Sequence, residues 1–155
     1  MVIKQPKNIK LTAEQKATKA EIKLVWKSTF GKENTERFTT VQKYVDSECI
    51  NLMVPYTPMR NGILQKGAVL GTKIGSGEIH YNIPYARYQY YGKLMVSSIT
   101  GSASATRGES KVLTEKDLVY SKAKHPLAQR LWFETMKHNH KEQILLGAAA
   151  IAKRK

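Results

Sequence analysis

The sequence predicts an α+β domain: N-terminal helices and a long C-terminal helix packed on a small antiparallel β-sheet, with a long exposed loop. Three observations predict it. Phe38, Val41, Val45, Cys49 and Leu52 step by three, four, four and three, which places them on one helical face. Ile79, Tyr81 and Ile83 alternate with polar neighbours at the period of a strand. Near the C-terminus, Leu131-Trp132-Phe133-Glu134-Thr135-Met136-Lys137 is the richest aromatic and apolar anchor of that part of the chain.

In chain order, Thr12-Ala13-Glu14-Gln15 matches a capping box, a hydroxyl for the third amide and a Gln to reach back, so a first helix is expected from Thr12 towards Ser28. Ala13, Ala17, Ala20 and Leu24 would form its shallow inner stripe. Gly31 and Asn34 break it, and a second helix follows from about Thr35 to the stop at Pro55. The turn-rich stretch Val54 to Leu64 leads into Ile63 and Leu64 as the start of the sheet. Ala68-Val69-Leu70 and Ile79-Tyr81-Ile83, separated by Gly75-Ser76-Gly77, read as a β-hairpin. Residues 96–110, V-S-S-I-T-G-S-A-S-A-T-R-G-E-S, are too small and polar to supply core and read as an exposed loop or hairpin tip that orders against a neighbour. Val112-Leu113 and Leu118-Val119-Tyr120 return the chain as a last strand. Pro126 then opens the final helix, with Leu127, Leu131, Trp132, Met136, Ile144 and Ala148 inward and a basic tail at 151–155.

The 155 residues fit one domain spanning 1–155, and 41% apolar content is enough for a core. Lys plus Arg is 26 against 12 Asp plus Glu, a net charge of +14. Such a surplus favours a polyanionic neighbour: nucleic acid, an acidic protein rim or an anionic membrane. The lone Cys49 excludes an internal disulfide and any multi-cysteine zinc site; in the helical stripe it reads as a small buried hydrophobe. No stretch approaches the ~20 apolar residues of a membrane span, and the lysine-rich start lacks the apolar region of a signal peptide, so a soluble protein, cytoplasmic when made, is expected.

No enzyme constellation emerges, and no catalytic, cofactor or metal residue is assigned. His138-Asn139-His140 spells a nuclease motif, yet side chains two apart on a helix point about 200° from one another and cannot share a metal. Gly67, Gly71, Gly75 and Gly77 lack the Gly-Lys-Ser/Thr ending of a phosphate loop and fit turns and bulges. Glu109, Glu115 and Asp117 stand among Arg107, Lys111 and Lys116 as a mixed-charge surface. The block Pro84-Tyr85-Ala86-Arg87-Tyr88-Gln89-Tyr90-Tyr91-Gly92-Lys93 is different, because four tyrosines in ten positions cannot all face one core. Exposed Tyr and Arg favour a protein interface, and the same groups suit half-buried packing or base stacking.

The Tyr-Ala-Arg-Tyr-x-Tyr-Tyr-Gly run resembles, together with Lys116-Asp117-Leu118-Val119-Tyr120, His125-Pro126 and Trp132-Phe133-Glu134-Thr135-Met136-Lys137, the minor capsid proteins of tailed bacteriophages. The resemblance covers about two-thirds of the chain and leaves out the first thirty or so residues. It implies a virion structural protein of the neck, at head-tail joining or tail completion, forming a homo-oligomeric ring, hexameric or dodecameric, around the DNA channel. Its partners would be other neck, connector and tail proteins, with sequence-independent contact to genomic DNA in the lumen. On this expectation Tyr85, Arg87, Tyr88, Tyr90 and Tyr91 make subunit contacts. Gly101, Ser102, Thr106, Arg107 and Gly108 form a docking loop, and Trp132, Phe133 and Met136 anchor the last helix. The rival expectation is a stand-alone basic nucleic-acid-binding module using the same lysines and tyrosines.

Overall fold

Helix-on-helix packing organises the chain. A computed structural model describes residues 2–15 and 18–153. The elements run β1 (Ile9–Gln15), β2 (Thr18–Leu24), α1 (Phe30–Met53), a 3-10 turn (Val54–Tyr56), α2 (Ile63–Gly71), α3 (Ala86–Tyr91), β3 (Lys93–Ser97), β4 (Lys111–Asp117) and α4 (Trp132–Lys153). Helices α1 and α4 make the principal helical contact. Gly147 permits it, since a Cβ there would collide with the Tyr44 side chain. The core gathers Ile50 and Met53 of α1, Tyr56, Leu64 of α2, Ala86 of α3, and Trp132, Met136 and Ile144 of α4. The class is α+β. Its strands form two separate antiparallel ribbons, β1–β2 and β3–β4, so the helices pack on one another and not on a single sheet.

Ile9–Gln15 and Thr18–Leu24 pair as an antiparallel ribbon where a helix from Thr12 is expected. Ile9 pairs with Leu24, Leu11 with Ile22, Lys10 with Lys23 and Thr12 with Glu21. Apolar and polar residues thus alternate in register on both strands, and this period of two prevails over a capping box whose helical stripe is mostly alanine. Ala17 of that stripe lies outside the described residues, as do Arg154 and Lys155 of the basic tail. Helix α1 starts at Phe30 and not Thr35, with Glu33 in its first turn held by Lys27 Nζ at 2.6 Å and by the Thr29 hydroxyl at 2.7 Å. Its buried positions are Gly31, Asp46, Ile50 and Met53. The predicted stripe of Val45, Cys49 and Leu52 is only partly buried beside them, and Phe38 is exposed.

The hairpin expected from Ala68 to Ile83 is instead a helix followed by an extended segment. Gly67 and Gly71 are one helical turn apart on α2, and residues 80–83 cross that face. A Cβ at Gly67 would collide with the Ile83 side chain, and one at Gly71 would stand 2.5 Å from the His80 carbonyl oxygen. These two glycines therefore serve close packing and not turns. Ile63 and Leu64 begin the helix and not the sheet, entered through Gly62 at φ 78°.

Helix α4 begins at Trp132 and not at Pro126. The Gln129 amide donates to the Tyr56 carbonyl at 3.1 Å and the Leu131 amide to the Tyr90 carbonyl at 2.8 Å. Both bonds hold residues 126–131 outside helical geometry, with Leu131 at φ 50°. Leu127 is accordingly exposed, while Trp132, Met136, Ile144 and Ala148 face the core. Strand β4 ends at Asp117, so Leu118-Val119-Tyr120 is not a strand. The Leu118 amide bonds the Gly92 carbonyl at 2.8 Å, and Val119 is 97% exposed.

Candidate functional site

The tyrosine block folds as α3, a short helix closed by Gly92 at φ 73°. Both the left-handed backbone and the close approach favour glycine there, because a Cβ at Gly92 would press on the Tyr120 hydroxyl at 3.0 Å and on Arg130 at 3.1 Å. The helix divides the tyrosines. Tyr90 turns inward and meets Trp132 edge-on, ring centroids 4.9 Å apart, and Tyr81 meets the same indole at 5.6 Å. The Trp132 Nε1–H donates to the Tyr81 hydroxyl at 3.0 Å, which satisfies the buried indole. Burial raises the Tyr81 and Tyr90 phenols above their ordinary range, with the Glu134 carboxylate adding to the effect on Tyr90. Tyr88 is half-buried. Tyr85, Arg87 and Tyr91 are exposed, Tyr91 at 57% and packed edge-on against Tyr90 at 5.3 Å. The outward set is thus Tyr85, Arg87 and Tyr91, while Tyr90 belongs to the aromatic packing around Trp132.

Trp132 and Met136 are fully enclosed, and Phe133 is partly buried against them. Beside them lies an open, mainly apolar groove of about 570 Å³ between α1, residues 77–83, α3 and the start of α4. Val45, Cys49, Ile79, Ile83, Arg87 and Phe133 are among its walls. Burial raises the Cys49 thiol, with Asp46 and Glu48 adding to the shift. A thiol held protonated suits packing and not nucleophilic attack.

Asp46 sets one wall of this groove. Its side chain is buried, and Oδ2 accepts from the Gly75 amide at 2.7 Å and the Gly77 amide at 3.1 Å, while Oδ1 accepts from the Gln42 side chain at 2.7 Å. A buried carboxylate thereby ties down the Gly75-Ser76-Gly77 turn, whose two glycines have φ of 97° and 81°. The sequence reading missed this tether. Its one signal is an aspartate inside the helical run that Val41, Val45 and Cys49 mark as inward.

The loop between β3 and β4 is organised around Ser97 and Glu109. The Ser97 hydroxyl donates to the Glu109 carboxylate and accepts from the Ile99 amide at 3.1 Å and the Thr100 amide at 2.9 Å. The Thr106 amide donates to Glu109 at 2.8 Å. The hydrogen bond from Ser97, then that from the Thr106 amide, hold Glu109 below the ordinary carboxylate range. Lys93 does the same for Asp117, across a 2.8 Å ion pair at the base of the hairpin. Gly101, Ser102, Thr106, Arg107 and Gly108 are all exposed, and neither Gly101 nor Gly108 has a neighbour in contact with its Cβ position.

Asn139, exposed, and His140, half-buried, both address the Tyr56 hydroxyl, at 3.0 and 3.2 Å, and so tie α4 to the 3-10 turn that follows α1. Among the described residues no cluster of three His, Cys, Asp or Glu side chains is arranged to hold a metal, and no helix is long and apolar enough to cross a membrane.

The β1–β2 ribbon carries an exposed apolar face, and among the described residues it makes no substantial contact with any other element. Ile9, Leu11, Ile22 and Leu24 share one face by register and are all exposed. Lys10, Lys23 and Glu21 lie on the other, both lysines pairing with Glu21, at 3.2 and 2.9 Å. Among the described residues, hydrogen bonds hold the ribbon at its base. The Trp26 amide bonds Asn8, and Gln5 bridges the Lys27 carbonyl and the Gly31 amide. At ~3.4 Å per residue its strands give an arm about 20 Å long. Comparison with known proteins adds no relative: no family model, curated protein or solved structure matches the chain.

Proposed function

We propose that this protein is a structural component of a tailed-phage virion, a neck protein of head-tail joining or tail completion that assembles into a ring around the DNA channel. The observation that carries the reading is the arm. A two-stranded ribbon standing alone is marginal in water, and one with an uncovered apolar face gains stability by covering that face with a partner. The outward Tyr85, Arg87 and Tyr91 and the exposed β3–β4 loop supply further contact groups of the type that anchors protein interfaces. The likeness of the Tyr85–Gly92 and Trp132–Lys137 runs to minor capsid proteins supports the phage setting. The net charge of +14 suits a lumen through which phosphate backbones pass without base reading.

Sedimentation across a concentration series, alone and with double-stranded DNA at several salt concentrations, separates this role from that of a free nucleic-acid-binding module. The assembly role predicts concentration-dependent oligomers and weak affinity of the free chain for DNA. A chain that stays monomeric and binds DNA tightly with a steep salt dependence would overturn it.

A further inference from the structure

We propose that the groove between residues 58–64, 85–89 and 119–121 is where this chain meets the phosphate backbone of duplex DNA, with Arg60, Lys124 and Arg130 as the contacting cations. The proposal rests on the neck reading above and names the DNA-facing surface which that reading requires. The groove holds about 420 Å³, and Arg60, Asn61, Tyr85, Gln89, Tyr120 and Ser121 are among its walls. No Asp or Glu is among its described lining residues. Lys124 stands at its edge, since its Nζ donates to the Arg60 carbonyl at 2.9 Å. Arg130 stands beside Tyr120, because the Cβ position of Gly92 lies 3.0 Å from the Tyr120 hydroxyl and 3.1 Å from the Arg130 side chain. All three cations are exposed.

Where the charge falls along the chain selects the occupant. The three lining segments lie in three stretches, 49–77, 79–108 and 118–133, each with three Lys or Arg and no acidic residue. All 12 Asp and Glu lie elsewhere, so these stretches carry 9 of the net charge of +14. The two carboxylates that flank the third stretch are already ion-paired, Asp117 with Lys93 at 2.8 Å and Glu134 with Lys137 at 3.8 Å. The rim of a protein partner intersperses both signs and is matched by a surface that does the same. Cations without carboxylates match a partner of one sign, and duplex DNA presents a phosphate about every 1.7 Å along its axis. The guanidinium forks of Arg60 and Arg130 suit phosphate oxygens. Asn61, Tyr85 and Ser121 add uncharged donors of the kind that position a backbone without reading its bases.

The test is fluorescence anisotropy of a labelled double-stranded oligonucleotide with the full chain across a low-salt series. Wild type is compared with the triple variant Arg60→Gln, Lys124→Gln and Arg130→Gln. A charge-matched control carries Lys7→Gln, Lys32→Gln and Lys153→Gln, at exposed positions outside the three stretches. Each phosphate contact contributes about 0.9 to the slope of log affinity against log salt, so the groove variant is expected to lower that slope by about 2–3 and the control to leave it unchanged. Arg60→Lys with Arg130→Lys is expected to keep the slope. Circular dichroism checks that the triple variant is folded; if it is not, Lys124→Gln alone is expected to lower the slope by about 0.9. An equal fall in groove and control variants would overturn the assignment, as would a wild-type chain that leaves DNA free at low salt or binds polyglutamate in its place. Oligomers in sedimentation with any of these results would leave the neck role standing and overturn the groove alone. Groove-dependent DNA binding by a chain that is monomeric at every concentration would overturn the neck role and leave the groove.

Discussion

Replacing Asp46 with alanine removes the acceptor for the amides of Gly75 and Gly77 and the partner of Gln42. Hydrogen bonds to a charged group contribute about 1.5 kcal/mol or more each, and an amide left buried without a partner costs about as much again. With the two backbone bonds at 2.7 and 3.1 Å as the main loss, the expected destabilisation is about 3 kcal/mol. For a chain of this size that corresponds to a fall in Tm of roughly 6–12 °C. Asp46→Asn keeps one carbonyl oxygen that can serve the glycine amides if Gln42 reverses its own amide, so about half the loss is expected. Thermal and urea unfolding measure the change, and hydrogen exchange at the Gly75 and Gly77 amides localises it, with faster exchange in the alanine variant. Stability of Asp46→Ala within about 0.5 kcal/mol of wild type, or unaltered exchange at both amides, would refute the tether.

Tyr90→Ala removes an aromatic packed on Trp132 and is expected to cost about 2–3 kcal/mol in urea unfolding. Tyr91→Ala, at an exposed ring, is expected to stay within about 0.5 kcal/mol while weakening self-association in sedimentation. Gly67→Ala forces a methyl into Ile83 and is expected to cost about 1–3 kcal/mol in the same assay, whereas Gly101→Ala, in open space at φ 67°, incurs only a backbone cost of about 1 kcal/mol. Acid acts on the β3–β4 loop through Glu109. Its folded pKa is below the ordinary value of 4.5, so its contribution is fully present above that value and is lost as pH falls through the lower folded one. Amide chemical shifts of Ile99, Thr100 and Thr106 are expected to hold from neutral pH to about 5 and to move together only below the ordinary glutamate range.

The helical stretches that carry the core were legible where large apolar groups step by three and four. Trp132, Met136, Ile144 and Ala148 fall on the inner face of α4, and Val45, Cys49 and Leu52 lie beside the inner face of α1, which is centred one residue further along at Asp46, Ile50 and Met53. The N-terminal ribbon was misread because Thr12-Ala13-Glu14-Gln15 imitates a cap, while the decisive signal was the alternation Ile9-Lys10-Leu11-Thr12 against Glu21-Ile22-Lys23-Leu24. The segment 63–83 was misread because glycine serves both turns and close packing. Only the chain crossing α2 at Ile83 and His80 distinguishes the two, and that contact is not local in sequence. The division of the tyrosines likewise depends on where Trp132 arrives, which is set by the Leu131 to Tyr90 hydrogen bond.

Electron microscopy of lysates from a phage carrying this gene in disrupted form, with and without the intact gene supplied in trans, tests the neck role most directly. The account predicts DNA-filled heads beside separate finished tails, joined again on complementation. Intact infectious particles without the gene product would contradict it.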